Sequence, residues 1–328
     1  NLLKGNNRMP SYSINVMPNV SAKNIAELTL YAEDRGCSRC WVYDEGVTAR
    51  DVYVTLAAIA AKTKSIKLGP GITNAYVRHP AVTASAIATL DELSNGRAFI
   101  GIGAGGGLTL DPMMINRTKP LTTVKEMVES LRSLFQGSET SIEGTNFALN
   151  NAHLAYGRRD IEIILAGRGP KMLQLGADVA DGFYLSYIYK DHIPEIMAGF
   201  RNNSSLKRKK FHVTYSTMLA TNTKELQEAR GQLSFRLVDS PIQIKQDLGM
   251  TAHDIENIKN ALREGGTSLA GNYVKEEWVD KFVVVGDSQS CRNELLRILE
   301  DNHIDEYQLP VYLPENAESL IDKVSDFF

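Results

Sequence analysis

The chain has 328 residues, 43% of them hydrophobic and 23% charged, the composition of an ordinary globular protein. Its 36 basic and 39 acidic side chains leave a net charge of −3, which offers no field for nucleic acid or for an anionic membrane surface. No run approaches 18 apolar residues and the polar stretch Asn1 to Pro10 lacks the apolar core of a secretory signal, so a cytoplasmic protein is the expectation.

Strand-like and helix-like segments alternate from one end to the other. Tyr12 to Met17 reads as a strand before a helix over Ala22 to Arg35, with Ser21 as its N-cap. Arg39 to Tyr43 precedes a helix over Val52 to Lys62, whose Leu56, Ile59 and Ala60 share one face. Ile66 to Leu68 precedes Ala81 to Leu93, where Pro80 suits the first helical turn and Gly96 ends the element with positive φ. Ala98 to Ile102, apolar and short, suits a strand buried on both faces, followed after a loop by a helix over Val124 to Phe135. Ile161 to Leu165 precedes Lys171 to Ala180, and Phe183 to Ser186 precedes a helix near Ile193 to Arg201. Val213 to Ala220 leads into a long helical region, and Asp305 to Val311 is a late strand before a terminal helix over Ala317 to Phe328.

Eight strands, each mostly followed by a helix, predict an α/β protein built as a parallel (β/α)8 TIM barrel, one domain over residues 1–328. An open doubly wound sheet is the alternative, but its G-x-G-x-x-G should follow the first strand, where Met17-Pro18-Asn19-Val20 stand instead. Two interruptions are expected: a hairpin or surface loop over Gly137 to Arg159, and a helical insertion over Leu233 to Val279, before Phe282-Val283-Val284-Val285 and the last strand. Three cysteines are too few for a disulfide framework, and Cys37-Ser-Arg-Cys40 has no second pair to complete a metal site, so these thiols read as packing and no metal is expected. Lys207-Arg208-Lys209-Lys210 reads as a solvated turn.

The densest signal lies between Lys67 and Gly107. Here a strand ends in Gly69-Pro70-Gly71, a loop and helix follow, and a second strand runs into Gly101-Ile102-Gly103-Ala104-Gly105-Gly106-Gly107. Glycines at strand ends allow close approach of a ligand to backbone, at the end of a barrel where sites form. The segment GPGITNAYVRHPAVTASAIATLDELSNGR, Gly69 to Arg97, resembles the matching stretch of the deazaflavin-dependent methylenetetrahydromethanopterin reductases, in the bacterial-luciferase-like superfamily. A weaker correspondence extends from Tyr12 nearly to the C-terminus. The resemblance also implies the luciferase-like barrel.

The strand ends supply the candidate site residues. Asn15, at the end of the first strand, stands where the resembled reductases carry an acid; it keeps hydrogen-bonding ability but delivers no proton. Asp44 and Glu45 follow the second strand as adjacent carboxylates, costly unless hydrogen-bonded or used. The resemblance places Asp44 against a flavin or deazaflavin ring, with Glu45 where histidine often stands. After the third strand the resemblance implies a non-proline cis peptide at Gly71-Ile72, forming a bulge under the ring, with Thr73 and Asn74 offering polar groups to it. Arg78 either reaches substrate or pairs locally, and His79, just before a helix, reads as structural. Gly103, Ala104 and Gly105 line the fourth strand end, where the absence of a glutamate near Gly106 argues against the sugar-phosphate dehydrogenases of the superfamily. Gly167, Arg168, Gly169 and Lys171 lead into a helix and form a credible phosphate seat, and Ser186 ends the sixth strand.

The resemblance implies a cytoplasmic oxidoreductase using coenzyme F420, in which reduced deazaflavin passes hydride to a C1-carrying reduced pterin of the methanopterin type. Asp44, Glu45 and Asn15 are its candidate catalytic residues. An FMN-dependent luciferase-like monooxygenase, or a member that binds flavin or deazaflavin without chemistry, stands as the alternative. A homodimer or larger homo-oligomer is expected, without nucleic-acid or membrane partners.

Overall fold

The structure, a computed structural model, describes residues 9–206 and 210–328; of the basic run, residues 207–209 lie outside the described residues. Eight parallel strands carry the fold: β1 Ser11–Val16, β2 Arg39–Val42, β3 Lys67–Pro70, β4 Phe99–Gly103, β5 Glu162–Ala166, β6 Gly182–Ser186, β7 His212–Ser216 and β8 Glu306–Val311. Their order in the sheet is β3-β2-β1-β8-β7-β6-β5-β4, with the two-residue strand Thr73–Asn74 beyond β4. Because Thr73–Asn74 continues β3 and pairs with Ile102 and Gly103 of β4, and Leu68 bridges Ala98, the sheet returns on itself as the expected barrel. Helices α1 Ala22–Glu33, α2 Val52–Lys62, α3 Pro80–Leu93, α4 Pro120–Phe135 and α5 Pro170–Val179 follow β1 to β5 in turn.

The helix boundaries follow local chemistry. Ser21 accepts from the Asn24 amide and Asp51 from those of Tyr53 and Val54, satisfying N–H groups that a helix start leaves open. Pro80 opens α3, and Asn95 and Gly96 leave it with φ of 57° and 80°. Between α4 and β5 the predicted hairpin is present as Thr140–Glu143 against Ala148–Ala152, antiparallel.

Period-2 alternation gives the barrel an inner face. Its lower layer is ionic. Glu306 is fully buried; its carboxylate accepts from Ser13 at 2.7 Å and from the Arg39 Nε at 3.1 Å, and lies 3.3 Å from the His212 Nε2. Arg39 also donates to Glu162 at 2.6 Å, and Lys67 meets the same carboxylate at 3.0 Å. Burial alone would raise the Glu306 carboxyl, but His212, Arg39 and Ser13 outweigh it and hold it at about 2. Above this layer Trp41 fills the centre, with Phe99 edge-on at 4.5 Å and Tyr184 stacked at 5.4 Å.

The chain folds into two compact units, the barrel-bearing one (1–185, 200–215, 305–328) and a second spanning 186–199 and 216–304. The second contains the predicted insertion, Leu233 to Val279, and extends beyond it; its helices include Thr223–Val238, Ala252–Ala270, kinked at Gly265-Gly266, and Ser288–Asn302. The predicted strand Val213 to Ala220 is in fact two. Leu219–Ala220 leaves the barrel sheet to pair with Val284–Val285, so the chain changes partner at Thr217-Met218, and the predicted run Phe282 to Val285 shortens to its last two residues. All three cysteines are buried and none forms a disulfide, and burial pushes the Cys37 and Cys40 thiols up, the latter to about 12. Among the described residues no helix is long and apolar enough to cross a membrane.

Candidate active site

At the C-terminal ends of the strands, glycines let neighbouring segments pack closely. A Cβ on Gly71 would stand 2.5 Å from the Trp41 Cβ, and one on Gly101 would stand 2.5 Å from the Pro70 carbonyl oxygen. One on Gly103 would stand 2.3 Å from the Ile72 Cδ1. Only glycine leaves room for these approaches, and Ile72 thereby packs on the Trp41, Phe99, Ile164, Ala166 and Tyr184 cluster. The Gly71-Ile72 peptide is cis, as the resemblance implied, and the chain bulges there between β3 and Thr73–Asn74. Two hydrogen bonds hold the bulge. The Gly71 N–H donates to the Val42 carbonyl at 2.7 Å, and the Gly71 carbonyl accepts from the Asn15 Nδ2 at 2.7 Å. Asn15 is fully buried, and its Oδ1 has no partner.

The carboxylates after β2 are both engaged. The Thr73 hydroxyl donates to the Asp44 Oδ2 at 2.6 Å, and the Thr109 hydroxyl donates to the Glu45 Oε2 at 2.7 Å. Burial raises the Asp44 carboxyl above the ordinary range; the Thr73 bond, the Arg78 charge and the Gly46 N–H only partly offset it. Asp44 thus keeps a proton to higher pH than a solvated aspartate, which suits a proton donor. Thr73 is itself fully buried, so the pair is positioned from below rather than by solvent.

Other residues singled out in the sequence make local bonds. Arg78 pairs with Asp51 at 3.1 Å and lies 4.4 Å over the Tyr53 ring, so the local pairing is present. The His79 Nδ1 accepts from the Ala81 amide at 3.2 Å, and its Nε2 lies 3.1 Å from the Ala148 carbonyl. A carbonyl only accepts, so this is the neutral Nε2–H tautomer, capping α3 and tying down the hairpin. Asn74 spends its Oδ1 on the Tyr76 and Val77 amides and fixes its own loop.

Gly103 ends β4; Ala104 and Gly105 follow, Gly105 with φ of 74° and its carbonyl accepting from Arg117 at 2.8 Å. At the fifth strand end a Cβ on Gly167 would fall 2.5 Å from the Met172 Cγ, so glycine there serves close packing of loop on helix. Gly169 is the N-cap of α5 with open space where a Cβ would project, while Arg168 is half-buried and Lys171 is exposed in the first helical turn. A helix N-terminus beside a cation can receive a phosphate. Ser186 ends β6, half-buried. Thr109 and Arg117 escaped the sequence reading, since their partners lie in another loop or on the main chain and no motif announces them. Among the described residues no group of three or more His, Cys, Asp or Glu side chains is placed to hold a metal.

Comparison with known proteins agrees with this architecture. The family model for luciferase-like monooxygenases matches residues 4–306. A 5,10-methylenetetrahydromethanopterin reductase of Methanolobus tindarius is 31% identical over 298 residues, covering 88% of this chain and 91% of its own. One of Archaeoglobus fulgidus is 32% identical over 285 residues, covering 84% and 86%. A solved structure, the coenzyme F420-dependent tetrahydromethanopterin reductase of Methanopyrus kandleri, superposes with a TM-score of 0.83 at 26% identity, covering 97% of this chain and 98% of its own. The chain belongs to the luciferase-like monooxygenase family.

Proposed function

We infer that this protein is a coenzyme F420-dependent oxidoreductase that reduces a methylene group carried by a tetrahydromethanopterin-type pterin. The observation that carries the inference is likeness over nearly the whole chain to methylenetetrahydromethanopterin reductases, both in sequence and in fold. The site fits a flat, phosphate-bearing cofactor. Glycines at 71, 101 and 103 give a close platform, the open Gly169 N-cap with Lys171 provides an anion seat, and Asp44 and Glu45 stand after β2. A reduced pterin as substrate, a homodimer or larger assembly, and a cytoplasmic setting without nucleic-acid partners go with this reading.

Bound and reduced, the deazaflavin supplies a hydride. In the overall reaction the methylene carbon gains that hydride, its bond to one nitrogen breaks, and that nitrogen takes a proton. Asp44, whose carboxyl burial raises above the ordinary range, or its neighbour Glu45 delivers the proton; as an anion either offsets positive charge developing on the substrate. Thr73 and Thr109 fix the two carboxyl groups so that little reorganisation is needed. Ile72 and the buried Trp41 keep the platform dry from beneath.

The test is binding and turnover side by side. Purified protein should bind coenzyme F420 more tightly than FMN and oxidise the reduced form only when methylenetetrahydromethanopterin is present. A tenfold preference for FMN, with oxygen uptake, would replace this reading with that of a flavin monooxygenase. Tight binding without turnover would point to a member without chemistry.

A further inference from the structure

We propose that Asn15 is a positioning residue whose amide N–H anchors the Gly71 carbonyl of the bulge from inside the barrel, in this chain with a donor that does not ionise. For the importance of the bulge the proposal rests on the cofactor platform described above; its geometry stands apart from that reading. The Gly71 oxygen can only accept, so the 2.7 Å contact fixes the Asn15 amide with Nδ2 toward it. The other end, Oδ1, is left buried and without a partner. An unsatisfied buried acceptor is unfavourable, and an apolar side chain would avoid it, so filling space does not explain an amide here.

The bulge peptide is thereby held on both sides. Gly71 gives its N–H to Val42 of β2 and receives a bond on its carbonyl from β1. Neighbouring side chains tighten the arrangement, since a Cβ on Gly71 would meet the Asn15 amide at 3.1 Å and the Trp41 Cβ at 2.5 Å. Without the anchor the carbonyl loses its donor, and Ile72 and Thr73 ride on the same peptide. A carboxylate at position 15 would set oxygen against oxygen and could donate only when protonated. Exchanging Asn15 for aspartate should therefore turn a pH-independent anchor into a pH-dependent one.

Charged groups on the neighbouring strands do not supply this behaviour. Glu306 and Arg39 pair with one another at 3.1 Å deeper in the barrel, and Asp44 is bonded to Thr73. All three are present in both proteins and drop out of a ratio to wild type.

The experiment measures coenzyme F420 binding by Asn15→Asp and wild type in parallel, at about pH 5.5 and about pH 8.5, values that straddle the raised range of a buried carboxyl. The expected result is wild-type affinity within about threefold at the lower pH and a loss of about tenfold or more at the higher, the worth of one hydrogen bond. Asn15→Leu should be weakened equally at both. A constant ratio for Asn15→Asp across the two pH values overturns the proposal, as does failure of that variant to fold at the lower pH, where its acid can still donate. Should wild type itself bind no F420, the platform reading fails, and melting temperatures then carry the test. Asn15→Asp should match wild type at the lower pH and melt below it at the higher, and an unchanged difference would overturn the anchor.

Discussion

Exchanging Glu306 for glutamine keeps the shape of the side chain and removes one charge from the barrel floor. Arg39 would then share Glu162 with Lys67, leaving two cations for one carboxylate where two carboxylates now face them. The Glu306 carboxyl is held at about 2 against an ordinary value of 4.5. At 1.36 kcal/mol for each tenfold change in proton affinity, that difference corresponds to about 3 kcal/mol of stability. Breaking a buried pair by removing one member costs a similar ~3–5 kcal/mol. The sign follows from the depressed value: the contribution is complete above the unfolded-state pKa and is lost as pH falls through the folded one. Urea unfolding at neutral pH should therefore show the Glu306→Gln midpoint well below wild type with an unchanged slope. On acidification from pH 5 toward 3 the gap should narrow as wild type forfeits the same contribution. Equal midpoints at neutral pH, or a gap that stays constant into acid, would refute the view that this carboxylate works as a charged partner.

Asp44→Asn should reduce turnover strongly while weakening F420 binding only modestly. In wild type, turnover that depends on protonated Asp44 should fall as pH rises through its elevated pKa, and loss of that limb in the variant is the check. Lys171→Ala should weaken F420 binding by about ten- to a hundredfold with no change in melting, the effect of one charge-assisted contact; unchanged affinity would return Lys171 to an ordinary surface role. Gly101→Ala forces a methyl to within 2.5 Å of the Pro70 carbonyl and should cost about 1–3 kcal/mol by thermal melting. Gly169→Ala, in open space at φ of −87°, should stay within about 0.5 kcal/mol of wild type.

Much of the barrel was legible because its determinants are local. Alternation of apolar strands with capped helices, the Pro80 start and the Asn95-Gly96 stop each depend on neighbouring residues, and each appears as read. The bulge was legible only through resemblance, since nothing in the letters of Gly71-Ile72 sets it apart from other glycine loops. What stayed hidden is long-range. The ionic floor joins residues 123 and 267 positions apart, and Glu45 finds Thr109 64 positions on, with no periodicity to mark either. The split of the predicted strand at Thr217 has the same origin, a partner near residue 284 that takes over pairing. Arg78 illustrates the limit differently: its residue type suits substrate or local pairing, and its pairing with Asp51 was not legible from the letters.

The burial of Cys37, Cys40 and Cys291 has a practical consequence for anyone watching this molecule move. Thiol-directed reagents attack an accessible thiolate, and the natural chain has no cysteine at its surface to offer one. A single cysteine introduced at an exposed position, on the hairpin at Ser141 for instance, becomes the one addressable point on the folded protein. Fluorophores or spin labels can then report on the hairpin without first stripping out the native cysteines, whose packing stays undisturbed.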